Sequence, residues 1–202
     1  MIARERPADG EAEGALVLFH GRGADENDLF PLLDELDPQR RLHGYTPRAP
    51  LSLPPGGAHW YVVPRVGYPD AETFWESYEL VADWLDALPY ERVVLGGFSQ
   101  GCVMAFALGL GPDRRKPEAI CGFSAFIPVV DGWDLDSSPP LPRVALGHGI
   151  YDQVIPVQFG RAARDELVAV GVELMYREYP LPHALDADFV GEVRDWLAEQ
   201  LV

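Results

Sequence analysis

The sequence is poor in cysteine and in long apolar runs, and each shortage excludes a class of protein. Its two cysteines, Cys102 and Cys121, lie in or beside apolar stretches, which favours buried, reduced thiols over a disulfide. No run approaches the roughly 18 apolar residues of a membrane-spanning helix. The start of the chain, residues 1–14, is too polar and charged for a secretory signal. We therefore expect a soluble, cytoplasmic protein.

Positive charge is also scarce. Lys and Arg total 16 against 32 Asp and Glu, the net charge is −16, and Lys116 is the only lysine. A surface this acidic repels nucleic acid and anionic membranes, so we expect neither nucleic-acid binding nor stable membrane association. The chain has 202 residues, 48% of them hydrophobic, with no internal repeat or linker, which predicts a single domain over residues 1–202.

Apolar runs typical of buried strands alternate with helical patterns along most of the chain. The predicted strands are 15–19, 42–50, 92–95, 119–130, 143–146 and 172–179. The predicted helices are 29–36, 71–88, 100–110, 157–170 and 186–201, and residues 51–70 form a loop. This alternation predicts an α/β fold with a mostly parallel, doubly wound sheet between two layers of helices. The chain is too short for a large lid.

The stretch from Val93 to Gly101 carries the strongest single motif. An apolar strand enters Gly97-Phe98-Ser99-Gln100-Gly101, and a helical pattern follows. This is the strand–turn–helix context of the G-x-S-x-G nucleophile elbow, in which glycines allow the tight turn and the serine hydroxyl is exposed above the sheet. The alternative is a glycine-rich turn whose serine only caps a helix.

The residues that would activate this serine must come later in the chain, since α/β-hydrolases use the order serine, acid, histidine. Only His148 and His183 follow Ser99, and only His183 follows an aspartate placed just after a strand, Asp152. Because functional groups gather at the carboxyl ends of parallel strands, we predict a Ser99–His183–Asp152 triad. Other interpretations stay open: Asp152 in a surface turn, His183 as an ordinary loop residue, or the acid supplied by Asp131, Asp134 or Asp136. His20 and His148 adjoin glycines at strand ends and are predicted to brace loops.

Three motifs together resemble the phospholipase/carboxylesterase family of α/β-hydrolases, which includes acyl-protein thioesterases and small bacterial carboxylesterases. They are the glycine-rich loop 20–29, the elbow 97–101 and the acid segment 148–156, and the similarity extends over about residues 15–200. Two positions depart from the family pattern. Pro182 replaces the usual glycine before the histidine, and Arg22 stands where an apolar residue is common.

The chemistry that these residues predict is acyl transfer to water, without metal or organic cofactor. His183 removes the Ser99 proton during attack on an ester carbonyl, and Asp152 orients the imidazole. The backbone N–H of Gln100, at the start of a helix, is one expected oxyanion donor. The resemblance places the second donor at the backbone N–H of Arg22, and it also implies that a homodimer is possible.

The sequence constrains the substrate less than it constrains the reaction. Aromatic residues of the 51–75 region are candidates for the acyl pocket, namely Trp60, Tyr61, Tyr68, Phe74 and Trp75, although aromatics at helical spacing also suit a core. The Arg22 guanidinium either favours anionic substrates at the site mouth or pairs with Asp25 or Glu26. We expect a carboxylesterase acting on a small-molecule ester. The alternatives are an acyl-protein thioesterase or lysophospholipase, a peptidase, and a non-catalytic binding protein on the same fold.

Overall fold

A twisted sheet of seven strands forms the centre of the computed structural model, which describes residues 1–200. The seven strands lie in the order β1-β3-β2-β6-β7-β8-β9. In chain order they are β1 (Ala3–Arg6), β2 (Ala15–Phe19), β3 (His43–Pro47), β6 (Val93–Phe98), β7 (Ala119–Phe123), β8 (Arg143–Gly149) and β9 (Leu174–Tyr179). Only β1 runs antiparallel to its neighbour. Strands β4 (Leu51–Leu53) and β5 (Gly57–His59) form a separate hairpin.

Five helices cover the two faces of the sheet. They are α1 (Leu32–Leu36), α2 (Ala71–Asp86), α3 (Gln100–Leu110), α4 (Val157–Ala169) and α5 (Ala187–Gln200). Side chains of β2 alternate between two apolar clusters: Val17 packs with residues of α2, α3 and α4, whereas Leu16 and Leu18 pack with residues of α1 and α5. Every residue of β2 is buried, because a parallel strand with helices on both sides reaches no water. The predicted three-layer, doubly wound α/β fold is confirmed.

Strand β1 is an element that the sequence pattern did not predict. Its sequence, ARER, is polar because it pairs on one side only, at the edge of the sheet. The strand is held by Arg6, which is 3% exposed and donates from Nη2 to Asp37 Oδ2 at 2.6 Å and to the Leu42 carbonyl at 2.9 Å. These contacts of Arg6 join residues far apart in the chain, so they leave no periodic signal in the sequence.

Several other element boundaries differ from those predicted from the sequence. The apolar run 119–130 ends as a strand at Phe123 and continues as a buried loop. The helix predicted over 29–36 begins only at Leu32, and the segment predicted as loop 51–70 contains the β4–β5 hairpin. The predicted end of the last helix, residue 201, lies outside the described residues. Within residues 1–200 no helix is long and apolar enough to cross a bilayer.

Candidate active site

The turn between β6 and α3 places Ser99 in a conformation that few L-residues adopt. Its backbone has φ 56° and ψ −124°, in the sparsely populated positive-φ region. A Cβ on Gly101 would overlap the carbonyl group of Phe19, and one on Gly97 would lie 2.7 Å from the same oxygen. The crossing of β2, β6 and α3 therefore requires glycine at both positions, and it projects Ser99 from the carboxyl end of β6.

Ser99, His183 and Asp152 form a continuous hydrogen-bonded chain. His183 Nε2 lies 2.9 Å from Ser99 Oγ, and His183 Nδ1 lies 2.6 Å from Asp152 Oδ2. The three residues follow β6, β9 and β8 respectively, so strands far apart in sequence deliver them to one sheet edge. An imidazole held in this way accepts the serine proton at Nε2 while its Nδ1–H donates to the carboxylate.

Asp152 is fixed by donors on its other oxygen. Its Oδ1 accepts hydrogen bonds from the backbone N–H groups of Val154 and Ile155, both at 2.8 Å, and its side chain has no exposed area. Two backbone donors thus fix the orientation of the carboxylate, which in turn orients the His183 ring. None of the rival acids takes this position: Asp136, for example, pairs with Lys116 at 2.9 Å.

The loop carrying His183 is held against the turn that carries Asp152. Tyr151 N donates to the Leu181 carbonyl at 3.1 Å, and a Cβ on Gly149 would collide with the carbonyl groups of Leu181 and Pro182. The ring of Phe98, inside the elbow, packs against the His183 ring with centroids 4.6 Å apart. These contacts position the imidazole even though Pro182 stands where the family resemblance predicts a glycine.

Two buried histidines brace the surrounding loops. His20 Nε2 accepts from the Ala49 N–H at 3.0 Å, so its Nδ1–H donates to the Gly21 carbonyl at 2.7 Å. His148 Nε2 donates to the Ile155 carbonyl at 2.8 Å and lies 3.5 Å from Asp152 Oδ2. Burial lowers the pKa of both imidazoles, so both favour the neutral form. Their contacts are those of the loop-bracing role predicted for them.

The side chain of Gln100 makes contacts that sequence reasoning missed. Its Oε1 accepts from the Trp60 N–H at 2.8 Å, and its Nε2 donates to the Tyr61 carbonyl at 2.7 Å. The first helical residue after Ser99 therefore clamps the 60–61 segment to the elbow. The only sequence signal for this role was the residue type, a glutamine next to the nucleophile in a glycine-rich turn.

A cavity of about 310 Å³ opens beside Ser99, within the size range of small-molecule sites. Gln100 and Arg22 line it together with the serine. The remaining lining residues are Tyr61, Val63, Arg65, Val66, Pro69, Phe126, Val154 and Ile155. Gln100 is the first residue of α3. Because the first N–H groups of a helix have no partner within that helix, the backbone N–H of Gln100 has none within α3.

Of the five aromatic candidates for the acyl pocket, only Tyr61 lines this cavity. Trp60 and Phe74 are 0% exposed, and neither is a lining residue. The Trp60 indole donates to the His20 carbonyl at 2.8 Å, and Phe74 packs against Tyr61 and Tyr78. The expectation that Trp60 and Phe74 touch substrate is therefore wrong: both belong to the core behind the cavity wall.

The structure also rejects the predicted pairing of Arg22 with Asp25 or Glu26. Arg48 takes both carboxylates, at 3.5 Å from Asp25 Oδ2 and 2.9 Å from Glu26 Oε2. Arg22 is instead an exposed residue at the cavity.

A serine on a strained strand–helix turn, hydrogen-bonded to a histidine and an aspartate at one edge of a doubly wound sheet, defines a serine hydrolase of the α/β-hydrolase fold. Comparison with known proteins identifies the family. The family model described as Phospholipase/Carboxylesterase matches residues 5–201, and the chain belongs to that family.

Several relatives match this chain over nearly its full length at modest identity. Acyl-protein thioesterase 1 of Yarrowia lipolytica is 27% identical over 221 residues, covering 96% of this chain and 95% of its own length. Among solved structures, acyl-protein thioesterase 2 of Zea mays has a TM-score of 0.79 at 24% identity, covering 100% of this chain and 99% of that one. The Bacillus cereus carboxylesterase has a TM-score of 0.84 at 18% identity, covering 98% and 93%. The likeness to the two solved structures shows the fold alone.

Proposed function

We propose that this protein is a serine carboxylesterase that hydrolyses small to medium carboxylic esters through an acyl-enzyme intermediate. The observation that carries the proposal is the hydrogen-bonded chain from Ser99 through His183 to Asp152 beside the cavity. The family and the fold support hydrolase chemistry; the choice of an oxygen ester as substrate is our inference.

In the acylation step, His183 takes the Ser99 proton as Oγ bonds to the substrate carbonyl carbon. The backbone N–H groups of Gln100 and Arg22 stabilise the tetrahedral oxyanion, and each such donor contributes about 10²–10³ in rate. The C–O bond to the alcohol then breaks, and His183 returns its proton to the leaving oxygen. In the second half, water loses a proton to His183 as its oxygen bonds to the acyl carbon. The bond from that carbon to Ser99 Oγ then breaks, and His183 returns the proton to Ser99 Oγ, which releases the acid and restores the enzyme.

Removal of the nucleophile or the base tests this proposal directly. We expect Ser99→Ala and His183→Ala each to lower kcat by about 10⁶ or to background, with the double variant hardly worse, because the groups act as a unit. The assay is hydrolysis of p-nitrophenyl esters of increasing acyl length, with labelling by a fluorophosphonate. Ser137→Ala, an exposed serine, is the matched control and should keep wild-type rates.

Failure of the wild-type protein both to turn over any ester and to be labelled at Ser99 would instead indicate a binding protein on this fold. Labelling without ester turnover would favour a different acyl substrate.

A thioesterase activity is the second candidate, favoured by the names of the curated relatives. A sulfur leaving group needs less protonation than an alkoxide, so the same site chemistry serves both. Matched oxygen and thiol esters of one acyl chain, compared by kcat/KM, separate the two. A large preference for the thioester would replace the carboxylesterase assignment.

A further inference from the structure

The cavity beside Ser99 carries two arginines that no carboxylate neutralises. Most basic side chains of the protein pair with an acid, as Arg114 does with Asp86 at 2.6 Å. Within residues 1–200, Arg22 and Arg65 form no ion pair, and both line the cavity. Two other arginines without a carboxylate partner, Arg4 and Arg115, hydrogen-bond neutral groups elsewhere.

The acids closest in sequence to these arginines are already engaged. Arg48 binds Asp25 and Glu26, and Asp28, the other acid of the loop after Arg22, forms no ion pair with it within the described residues. Near Arg65, Asp70 caps α2 by accepting from the Thr73 N–H at 3.0 Å and the Thr73 hydroxyl at 2.7 Å. Neither arginine therefore has a carboxylate partner among the described residues, although the chain has twice as many acids as bases.

The Arg65 guanidinium is held in place by an aromatic ring and not by an acid. Its Cζ lies 3.6 Å from the centroid of the Tyr68 ring, a cation–π contact that orients the group. The turn beneath it is closed by the Tyr68 N–H donating to the Arg65 carbonyl at 3.0 Å. The rest of the wall is largely apolar, with Val63, Val66 and Phe126 on it, and includes no Asp or Glu among the described residues.

We propose that the substrate of this site carries an anionic group, a carboxylate or a phosphate, on its acyl part, bound by Arg22 and Arg65 while the ester carbonyl lies at Ser99. This inference rests on the proposed function and names its substrate class. Guanidinium groups bind both anions through paired N–H donors. The apolar residues of the same wall suit the methylene chain that joins the anion to the ester.

The test compares esters that differ only in the distal group. Monomethyl succinate, adipate and suberate are matched with methyl butyrate, hexanoate and octanoate, and methyl 6-(phosphooxy)hexanoate distinguishes phosphate from carboxylate. We expect kcat/KM to be higher for the anionic ester at one chain length or more. That ratio should fall roughly 3- to 10-fold in Arg22→Gln and in Arg65→Gln, further in the double variant, and not in Arg115→Gln.

Two outcomes overturn the inference and leave the proposed function intact: a ratio at or below one at every chain length with all distal groups, or a ratio that the double variant does not change. Binding to the Ser99→Ala protein tests the inference without turnover. By calorimetry, monomethyl adipate should bind at least about fivefold more tightly than methyl hexanoate, and the preference should vanish in Arg22→Gln/Arg65→Gln. Equal binding of the two esters would reject the anion site even if no ester is hydrolysed.

Discussion

At the scale of single residues, the Gln100 side chain holds one wall of the cavity in place. Its amide group satisfies one backbone donor and one backbone acceptor of the 60–61 segment. That segment supplies Tyr61 to the cavity wall and Trp60 to the core behind it. The same residue thus lines the cavity and fixes the cavity wall with its side chain.

Gln100→Ala leaves the Trp60 N–H and the Tyr61 carbonyl without their partners in a buried position. Such groups cost about 1–3 kcal/mol each when unsatisfied, so we expect the free energy of unfolding to drop by roughly 2–6 kcal/mol. Urea denaturation measures it. Gln158→Ala, an exposed glutamine on α4, should stay within about 0.5 kcal/mol. Equal effects of the two substitutions would show that the clamp contributes nothing to stability.

At the scale of elements, glycine is required by packing in one helix and only destabilises another. Gly101 in α3 lies so close to β2 that a Cβ would overlap the Phe19 carbonyl, whereas a Cβ on Gly191 in α5 would meet nothing within 4 Å. The first glycine is required by the crossing of a strand and a helix. The second only weakens its helix, because glycine loses more backbone entropy on folding than alanine does.

We therefore expect Gly191→Ala to raise the free energy of unfolding by about 0.5–1 kcal/mol without changing turnover. Gly101→Ala should destabilise the protein by several kcal/mol, since backbone atoms must move, and should abolish activity. Thermal and urea unfolding of the two variants provide the measurement. A destabilised Gly191→Ala protein would contradict the open surroundings described for that position.

At the scale of the whole molecule, stability must respond to pH through two opposing sets of groups. Protonation of the acids relieves the repulsion of a net charge of −16. Protonation of the buried imidazoles His20 and His148 acts the other way, because burial lowers the pKa of both in the folded state. The unfolded chain then binds more protons than the folded one at pH values below about 6.5. This part of the stability is present above that pH and is lost as the pH falls toward the folded pKa.

His148→Gln isolates the histidine contribution, since a glutamine amide can still donate to the Ile155 carbonyl but does not titrate in this range. We expect the free energy of unfolding to fall less steeply between pH 7 and pH 5 in the variant than in the wild-type protein. Urea denaturation at several pH values gives both curves. Parallel curves would mean that the His148 pKa is the same in the folded and unfolded chain.

The sequence by itself predicted the helix–strand alternation, the elbow at Ser99 and the order serine, acid, histidine. Those features are local: a buried parallel strand is apolar throughout, and a tight strand–helix turn needs glycine at fixed positions. Short elements gave no such signal. Strand β1 is polar because it lies at an edge, and the β4–β5 hairpin lies in a segment rich in proline and glycine.

What only the tertiary structure decided is which side chains meet. The apolar character of Trp60 and Phe74 suits a core and a pocket equally, and packing placed both in the core. Charge pairing is likewise a matter of distance: Arg48, not Arg22, reached Asp25 and Glu26, and Arg22 was left at the cavity with Arg65. Periodicity and turn chemistry act between neighbours in the chain, whereas burial and ion pairing act between neighbours in space.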